Sequence, residues 1–282
     1  MAASKARLGS DELAFYRDNG FVVPRYRLSE AELGALRAQT EAVIEANPHL
    51  ENRPIPNPNC RSFRRHGVNT DGSLMEFAVK REIVDIVEQL SGPDLLLWSA
   101  TIFHKPAAVG KRTPWHRDGE FWPIEPLATT SVWVAVTEST VGNGCLRVIP
   151  GSHKAKEIGR HHDAQGDDVI FAREIDDDQF DPSGAHDVEL EPGQMVFFDV
   201  RMLHGATANT AARPRTGFSA RYMPATSLFR HGTARPKDED DQAFTLETRP
   251  LFLVRGRDRA GNDLTRNYDA EDAATFRHWL AA

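Results

Sequence analysis

The chain is poor in the features that mark specialised environments. Its 282 residues include only two cysteines, Cys60 and Cys145. Neither belongs to a CxxC pair, so there is no disulfide framework and no basis for a zinc knuckle. Long apolar runs are missing as well. No stretch approaches the roughly 20 residues needed to span a bilayer, and MAASKARLGSDELAFYRDNG lacks the apolar core of a secretory signal. A reducing cytoplasm is therefore the expected compartment. Excess positive charge is also absent. A formal net charge of −7 offers no basic face for nucleic acid or an anionic membrane, and the expected partner is a small molecule. The acidity itself is read as plain solubility. No internal repeat or low-complexity tract occurs, and no motif speaks to oligomeric state.

What is present is an ordinary globular composition, 40% hydrophobic and 27% charged. Large β-sandwiches and barrels of roughly 200–250 residues form one domain, and one catalytic domain over 1–282 is expected here. Residues 1–93 read as a mainly helical cover. Ser10 is placed to cap a short helix through Tyr16, and FVVP reads as a strand. Ser29 and Glu32 form a capping-box pattern, followed by Leu33, Leu36, Val43 and Ile44 at helical spacing. Pro54, Pro56 and Pro58 make 51–70 a loop. A second helix is expected from about Ser73 to Leu90, stopped by Ser91, Gly92 and Pro93. From residue 94 to 225 the pattern changes to short β-rich runs: LLLWSATIF (95–103), TTSVWVAV (129–136), CLRVIP (145–150), QMVFFD (194–199) and TGFSARY (216–222). Strands punctuated by Gly, Pro and Asn predict an all-β jelly roll. The polar stretch 154–187 reads as a long surface loop or lid. Residues 226–282 form a C-terminal extension, with RPKDEDDQ (235–242) as a solvated excursion and DAEDAATFRHWLAA as a closing helix.

Two segments carry chemistry. WHRDGEFW holds His116 and Asp118; HGATANTAARPR holds His204 and Arg215. Positions i and i+2 of an extended segment point the same way, so His116 and Asp118 can reach one ion. Two imidazoles and one carboxylate with open positions suit non-haem Fe(II) and its oxygen chemistry. Arg215 adds a bidentate fork for a keto-acid carboxylate. It precedes TGFSARY, whose alternation sends Phe218 and Ala220 to one side and Gly217, Ser219 and Arg221 to the other. The triplet alone is weak, since 11 histidines and 41 acidic residues yield roughly one HxD by accident. His161 and Asp163 repeat the spacing in a polar stretch without strand pattern and are read as a decoy. His204 alone also fits a surface-loop histidine, and Arg215, near Arg213 and Arg221, also fits a surface cation.

In order and spacing, FHKPAAVGKRTPWHRD, VWVAVTESTVGNGCLRVIPGSH and MVFFDVRMLHG…PR resemble the phytanoyl-CoA dioxygenase family of Fe(II)/2-oxoglutarate-dependent oxygenases. The likeness runs from YRDNGFVVP to about residue 225. It implies a mainly β, double-stranded β-helix (jelly-roll, cupin-like) fold with N-terminal helices packed on one sheet. It also implies His116, Asp118 and His204 as catalytic iron ligands, Arg215 as anchor of the 2-oxoglutarate C5 carboxylate, Lys105 as a helper for that cosubstrate, and Trp133 as a pocket wall. In the NGCLRVIPGSH block, Asn143–Gly144 suits a tight turn, and His153 is assigned to a turn, not to metal. Two departures stand out. Arg117 lies between the facial ligands where glutamine is frequent, and Gly217 stands where many relatives carry serine. Ser219, on the same strand face, is the substitute considered.

The resemblance implies an enzyme that hydroxylates a small molecule using Fe(II), 2-oxoglutarate and O2, releasing succinate and CO2. Asp118 favours hydroxylation, because halogenating relatives carry a small residue there; desaturation and cyclisation stay open. For the substrate, RSFRRH offers Arg61, Arg64, Arg65 and His66 to a phosphonate or carboxylate, although a solvated loop explains the same cluster. Phe121 and Trp122 fit either a substrate wall or sheet packing. Two other classes share the ligand set: a jelly-roll hydrolase or isomerase using Zn or Mn, and a non-catalytic 2-oxoglutarate sensor.

Overall fold

A computed structural model describes residues 6–232, 246–265 and 270–281. Its first helix, α1 (Ser10–Asn19), is capped one residue earlier than the sequence suggests. Gly9 is the cap, and its N–H donates to Glu12 Oε2 at 2.7 Å. The next helix, α2 (Glu30–Glu45), opens in the expected capping box, with Ser29 N–H donating to Glu32 Oε2 at 2.7 Å and Glu32 N–H to Ser29 Oγ at 3.4 Å.

The single helix expected from Ser73 to Leu90 is instead two, α3 (Met75–Ala78) and α4 (Arg81–Ser91). Lys80 leaves helical geometry at φ −54°, ψ 124°, and its ammonium meets Glu32 at 2.5 Å and Glu82 at 3.1 Å. The freed Ala78 carbonyl accepts from Tyr222 Oη at 2.9 Å, which satisfies a terminal acceptor the helix end leaves open. The apolar stripe survives the break, since Phe77, Ile83, Ile86 and Val87 all enter one core.

All the sheets are antiparallel. The large one runs β1 (Phe21–Val22), β11 (Met195–Asp199), β6 (Thr130–Ala135), β13 (Arg215–Pro224), β3 (Leu95–Lys105) and β15 (Phe252–Arg255), with β2 (Ile55–Pro56) also on β3. The smaller runs β10 (His186–Val188), β7 (Leu146–Val148), β12 (His204–Ala206) and β4 (Thr113–His116). Together they form the double-stranded β-helix, with β5 (Ile124–Glu125) and β14 (Leu228–Phe229) as a small ribbon beside it. The helices cover the outer face of the large sheet, where Leu36, Val43 and Phe77 pack with Leu97, Ile102, Val134 and Phe218. Trp133, Val148, Val196, Phe198 and Met202 form a second cluster. Full burial of each such side chain contributes about 1.5–3 kcal/mol.

The polar stretch 154–187 is not only loop. It contains a hairpin, β8 (His161–Asp163) with β9 (Arg173–Ile175), held by the fully buried Ile175. The loop 51–70 contains β2 and a 3₁₀ turn at Arg61–His66. Beyond residue 225, β15 extends the large sheet and α5 (Ala270–Ala281) closes on that 3₁₀ turn. There Asp272 accepts from the N–H groups of Arg61 and Ser62 at 2.5 and 3.2 Å. The excursion expected at 235–242 lies outside the described residues. Cys60 and Cys145 are both buried and form no disulfide. Among the described residues no helix is long and apolar enough to cross a membrane.

Candidate active site

His116 and His204 face each other across the antiparallel pair β4–β12, and their ring centroids lie 4.2 Å apart. Each ring is oriented by the backbone two residues before it: His116 Nδ1 meets the Pro114 carbonyl at 2.8 Å and His204 Nδ1 the Met202 carbonyl at 2.9 Å. A carbonyl can only accept, so Nδ1 carries the proton and the Nε2 lone pair of each ring is left for another partner. Both Nε2 atoms turn toward Asp118, which opens a 3₁₀ turn just past β4. Asp118 Oδ1 lies 3.4 Å from His116 Nε2 and 4.0 Å from His204 Nε2. The three donor atoms fall within 4.8 Å of one another.

The electrostatics suit a cation. Asp118 is nearly buried, which by itself raises a carboxyl pKa; the Arg221 guanidinium beside it outweighs this and holds it ionised, well below the usual range. Burial, with His116 beside it, lowers His204 to about 4, so the ring is neutral at physiological pH. Asp118 Oδ2 is buried without a hydrogen-bond partner. Convergent, proton-free donors around a spare carboxylate oxygen fit a divalent metal ion, and the mixed N,N,O set fits iron.

A cavity of about 960 Å³ opens over these residues, bounded also by Trp122, Trp133, Arg215, Ser219 and Arg221. At one end Arg215 is buried, with Nε and Nη2 donating to the Gly144 carbonyl at 3.1 and 2.7 Å. Its guanidinium stacks over Trp133, 5.2 Å from the ring centroid. Burial lowers its pKa to about 10, leaving it charged. The turn at Asn143–Gly144 supplies that acceptor. Gly144 sits at φ +78°, and a Cβ there would meet the Thr207 carbonyl at 2.4 Å.

Lys105 stands opposite Arg215 in the β3–β13 register. Its Nζ donates to the carbonyls of Lys111 and Thr207, and it is not among the residues lining the cavity. Trp133 and Ser219 are cross-strand partners, and both line the cavity. The glycine at 217 has a steric reason: a Cβ there would lie 1.9 Å from the Trp133 ring. Serine at 217 and tryptophan in this orientation at 133 exclude each other.

Arg117 points away from the donor cluster. Its guanidinium donates to the Arg201 and Ile158 carbonyls, each at 2.9 Å, tying the ligand-bearing segments to the start of the 154–187 stretch. His161 and Asp163, which repeat the spacing, have other partners. His161 is buried at the site, but its Nε2 accepts the Arg117 N–H at 3.2 Å, and Asp163 pairs with Arg173 at 3.0 Å. Their hairpin adds Phe171 against the His116 ring at 4.8 Å. The apolar run VIFAREI (169–175) was the signal for it. His153 does order a turn, meeting the Arg17 carbonyl at 3.1 Å. In RSFRRH, Arg61 pairs with Glu271 at 2.8 Å and Arg64 donates to the Thr70 carbonyl at 2.6 Å, whereas Arg65 and His66 line the cavity.

A family model described as phytanoyl-CoA dioxygenase (PhyH) matches residues 16–217. The chain is 27% identical over 237 residues to the peroxisomal phytanoyl-CoA dioxygenase of Bos taurus, covering 77% of this chain and 69% of that protein. It is 24% identical over 229 residues to an ectoine dioxygenase of Bordetella parapertussis, covering 74% and 73%. Among solved structures, the non-heme α-ketoglutarate-dependent carbocyclase SnoK from nogalamycin biosynthesis superposes with a TM-score of 0.63 at 28% identity, over 79% of this chain and 87% of that one. The non-heme monooxygenase ThoJ shares the fold, with a TM-score of 0.66 at 24% identity over 95% and 94%.

Proposed function

The chain belongs to the phytanoyl-CoA dioxygenase family of Fe(II)- and 2-oxoglutarate-dependent oxygenases, and from that premise we propose that it hydroxylates a small-molecule substrate in the cavity over His116, Asp118 and His204. The observation that carries this reading is the convergence of His116 Nε2, His204 Nε2 and an ionised Asp118 within 4.8 Å. These three residues are the proposed iron ligands. When bound, ferrous iron with 2-oxoglutarate and O2 supplies the oxidising power, and the keto acid leaves as succinate and CO2.

The chain's own residues do the positioning. The Pro114 and Met202 carbonyls fix the tautomer and the aim of each imidazole, a support that raises ligand basicity and metal affinity. Arg215 is the proposed anchor of the cosubstrate's distal carboxylate. The Gly144 carbonyl and the Trp133 face hold the fork in place before any ligand arrives, which lowers the ordering cost of binding. Trp133 and Ser219 wall the same end. Lys105 is assigned a supporting part: it stands opposite Arg215 and donates to the Lys111 and Thr207 carbonyls, which flank β4 and β12. Phe171 and Phe198 pack on the two imidazoles and screen them from solvent. The whole chain acts as one catalytic unit in this reading, because β15 and α5 complete the sheet and its cover. A cytoplasmic setting belongs to the same proposal, and two buried cysteines that form no disulfide agree with it.

The test is succinate formation from 2-oxoglutarate with added Fe(II). Asp118→Ala is expected to lose more than the roughly 100-fold that supporting residues of metal sites cost. Retained iron-dependent turnover in that variant contradicts the ligand assignment. Product analysis then separates hydroxylation from ring closure, an outcome kept in view by the carbocyclase relative.

A further inference from the structure

The proposed function uses one end of β13 and leaves the other unexplained. Arg215, Ser219 and Arg221 share the cavity face of this strand, while Phe218 and Ala220 enter the helix-covered core. Arg215 and Arg221 thus stand roughly 20 Å apart by the rise of an extended strand, on either side of the space above Asp118. Both are seated alike: Arg215 over Trp133 at 5.2 Å, Arg221 over Trp122 at 5.4 Å and Phe103 at 5.8 Å. Such faces hold a guanidinium in place without neutralising it.

Resting on the reading that the Arg215 end takes the cosubstrate, we infer that Arg221 anchors an anionic group of the primary substrate, a carboxylate, phosphonate or phosphate. Three observations carry this. The Arg221 side chain is 11% exposed, and its one acid neighbour among the described residues is Asp118, whose Oδ2 lies 3.7 Å from Nε, beyond a hydrogen bond. Only Nη1 is used, donating to Thr101 Oγ1 at 3.0 Å; Nη2 donates to no described group, yet unlike Nε it is not sealed from solvent. A largely enclosed guanidinium whose Nε is sealed without an acceptor is costly unless a ligand completes its surroundings. The charges agree. Counting only the groups at the metal and cosubstrate positions, a ferrous ion and Arg215 would offset Asp118 and a keto-acid dianion, and the guanidinium of Arg221, next to Asp118, is not needed for that balance. An anion held by Nη2 would sit next to the metal ligand Asp118, which confines the oxidised carbon to the neighbourhood of the anionic group.

The experiment loads the protein anaerobically with saturating Fe(II) and 2-oxoglutarate, confirms loading by the visible charge-transfer band, and then adds matched pairs: small carboxylates and phosphonates, each beside its neutral methyl ester. Binding is read from the change in that band. The expected result is that acids bind at least tenfold tighter than their esters, that Arg221→Gln erases this preference, and that Arg221→Lys recovers part of it. Equal affinity for acids and esters, no binding by any acid, or an undiminished acid preference in Arg221→Gln overturns the inference. A variant that is merely damaged weakens both members of a pair and leaves their ratio unchanged. Failure of wild type to take up 2-oxoglutarate condemns the proposed function instead, and is seen before any pair is added.

Discussion

Lys105 and Arg215 stand opposite each other on adjacent strands, and burial treats the two cations differently. The delocalised guanidinium keeps its charge, whereas burial and the nearby Arg215 lower the Lys105 pKa from 10.5 to about 6. A neutral amine has two N–H donors, which match the two carbonyls that Lys105 meets. The linkage has a definite sign. Between about pH 6 and 10.5 the unfolded chain holds a proton on Lys105 that the folded chain has released. Stability attributable to this residue therefore rises with pH across that window and is flat on either side. In urea melts without cosubstrate, wild type is expected to gain stability relative to Lys105→Gln as pH is raised from 6 to 10. A constant difference would show that Lys105 is charged in the fold.

At the scale of elements, the hairpin β8–β9 carries most of what the sequence concealed. Its strands, HHD and REI, are three residues each and too short to show a strand period, so the Asp-rich surroundings make the stretch read as solvent. In the fold, Arg173 reaches across to Glu120 at 2.6 Å and Arg112 pairs with Glu174 at 2.8 Å, latching the hairpin beside the proposed metal ligands. Half-exposed pairs of this kind contribute about 1 kcal/mol at most. Arg173→Ala is accordingly expected to speed amide hydrogen exchange in 161–175 by roughly fivefold, with exchange in β13 unchanged. Unchanged exchange in the hairpin would mean that the latch lies elsewhere. The strands of the barrel were legible by contrast. TGFSARY announces its two faces through strict alternation, and the buried runs of β3, β6 and β11 have clear limits. The break at Lys80 was not legible, because the apolar stripe passes through it undisturbed and only the distant Tyr222 and Glu32 show why the backbone turns.

For the whole molecule, the site is the product of register. His116 and His204 lie 88 residues apart in sequence, and only the antiparallel pairing of β4 with β12 sets them face to face. The ligand residue types were readable because the chemistry demands them, and HxD on an extended segment is a local pattern. The proposed triplet and His161–Asp163 have the same spacing, so what separates them is tertiary: the Arg117 N–H occupies the Nε2 of His161, while among the described residues that of His116 and of His204 faces only the shared neighbour Asp118. The sequence placed Arg221 on the strand face it shares with Gly217 and Ser219, but its proximity to Asp118 depended on where the turn after β4 lands. The claim on which the account rests is that this register builds one site for ferrous iron and 2-oxoglutarate. Anaerobic titration of the Fe(II)-reconstituted protein with 2-oxoglutarate tests it most directly. The account predicts a weak visible metal-to-ligand charge-transfer band that saturates in wild type and is lost or strongly weakened in Arg215→Ala. No band in wild type, with tight Zn(II) binding in its place, would contradict it and favour a metal-dependent hydrolase or isomerase.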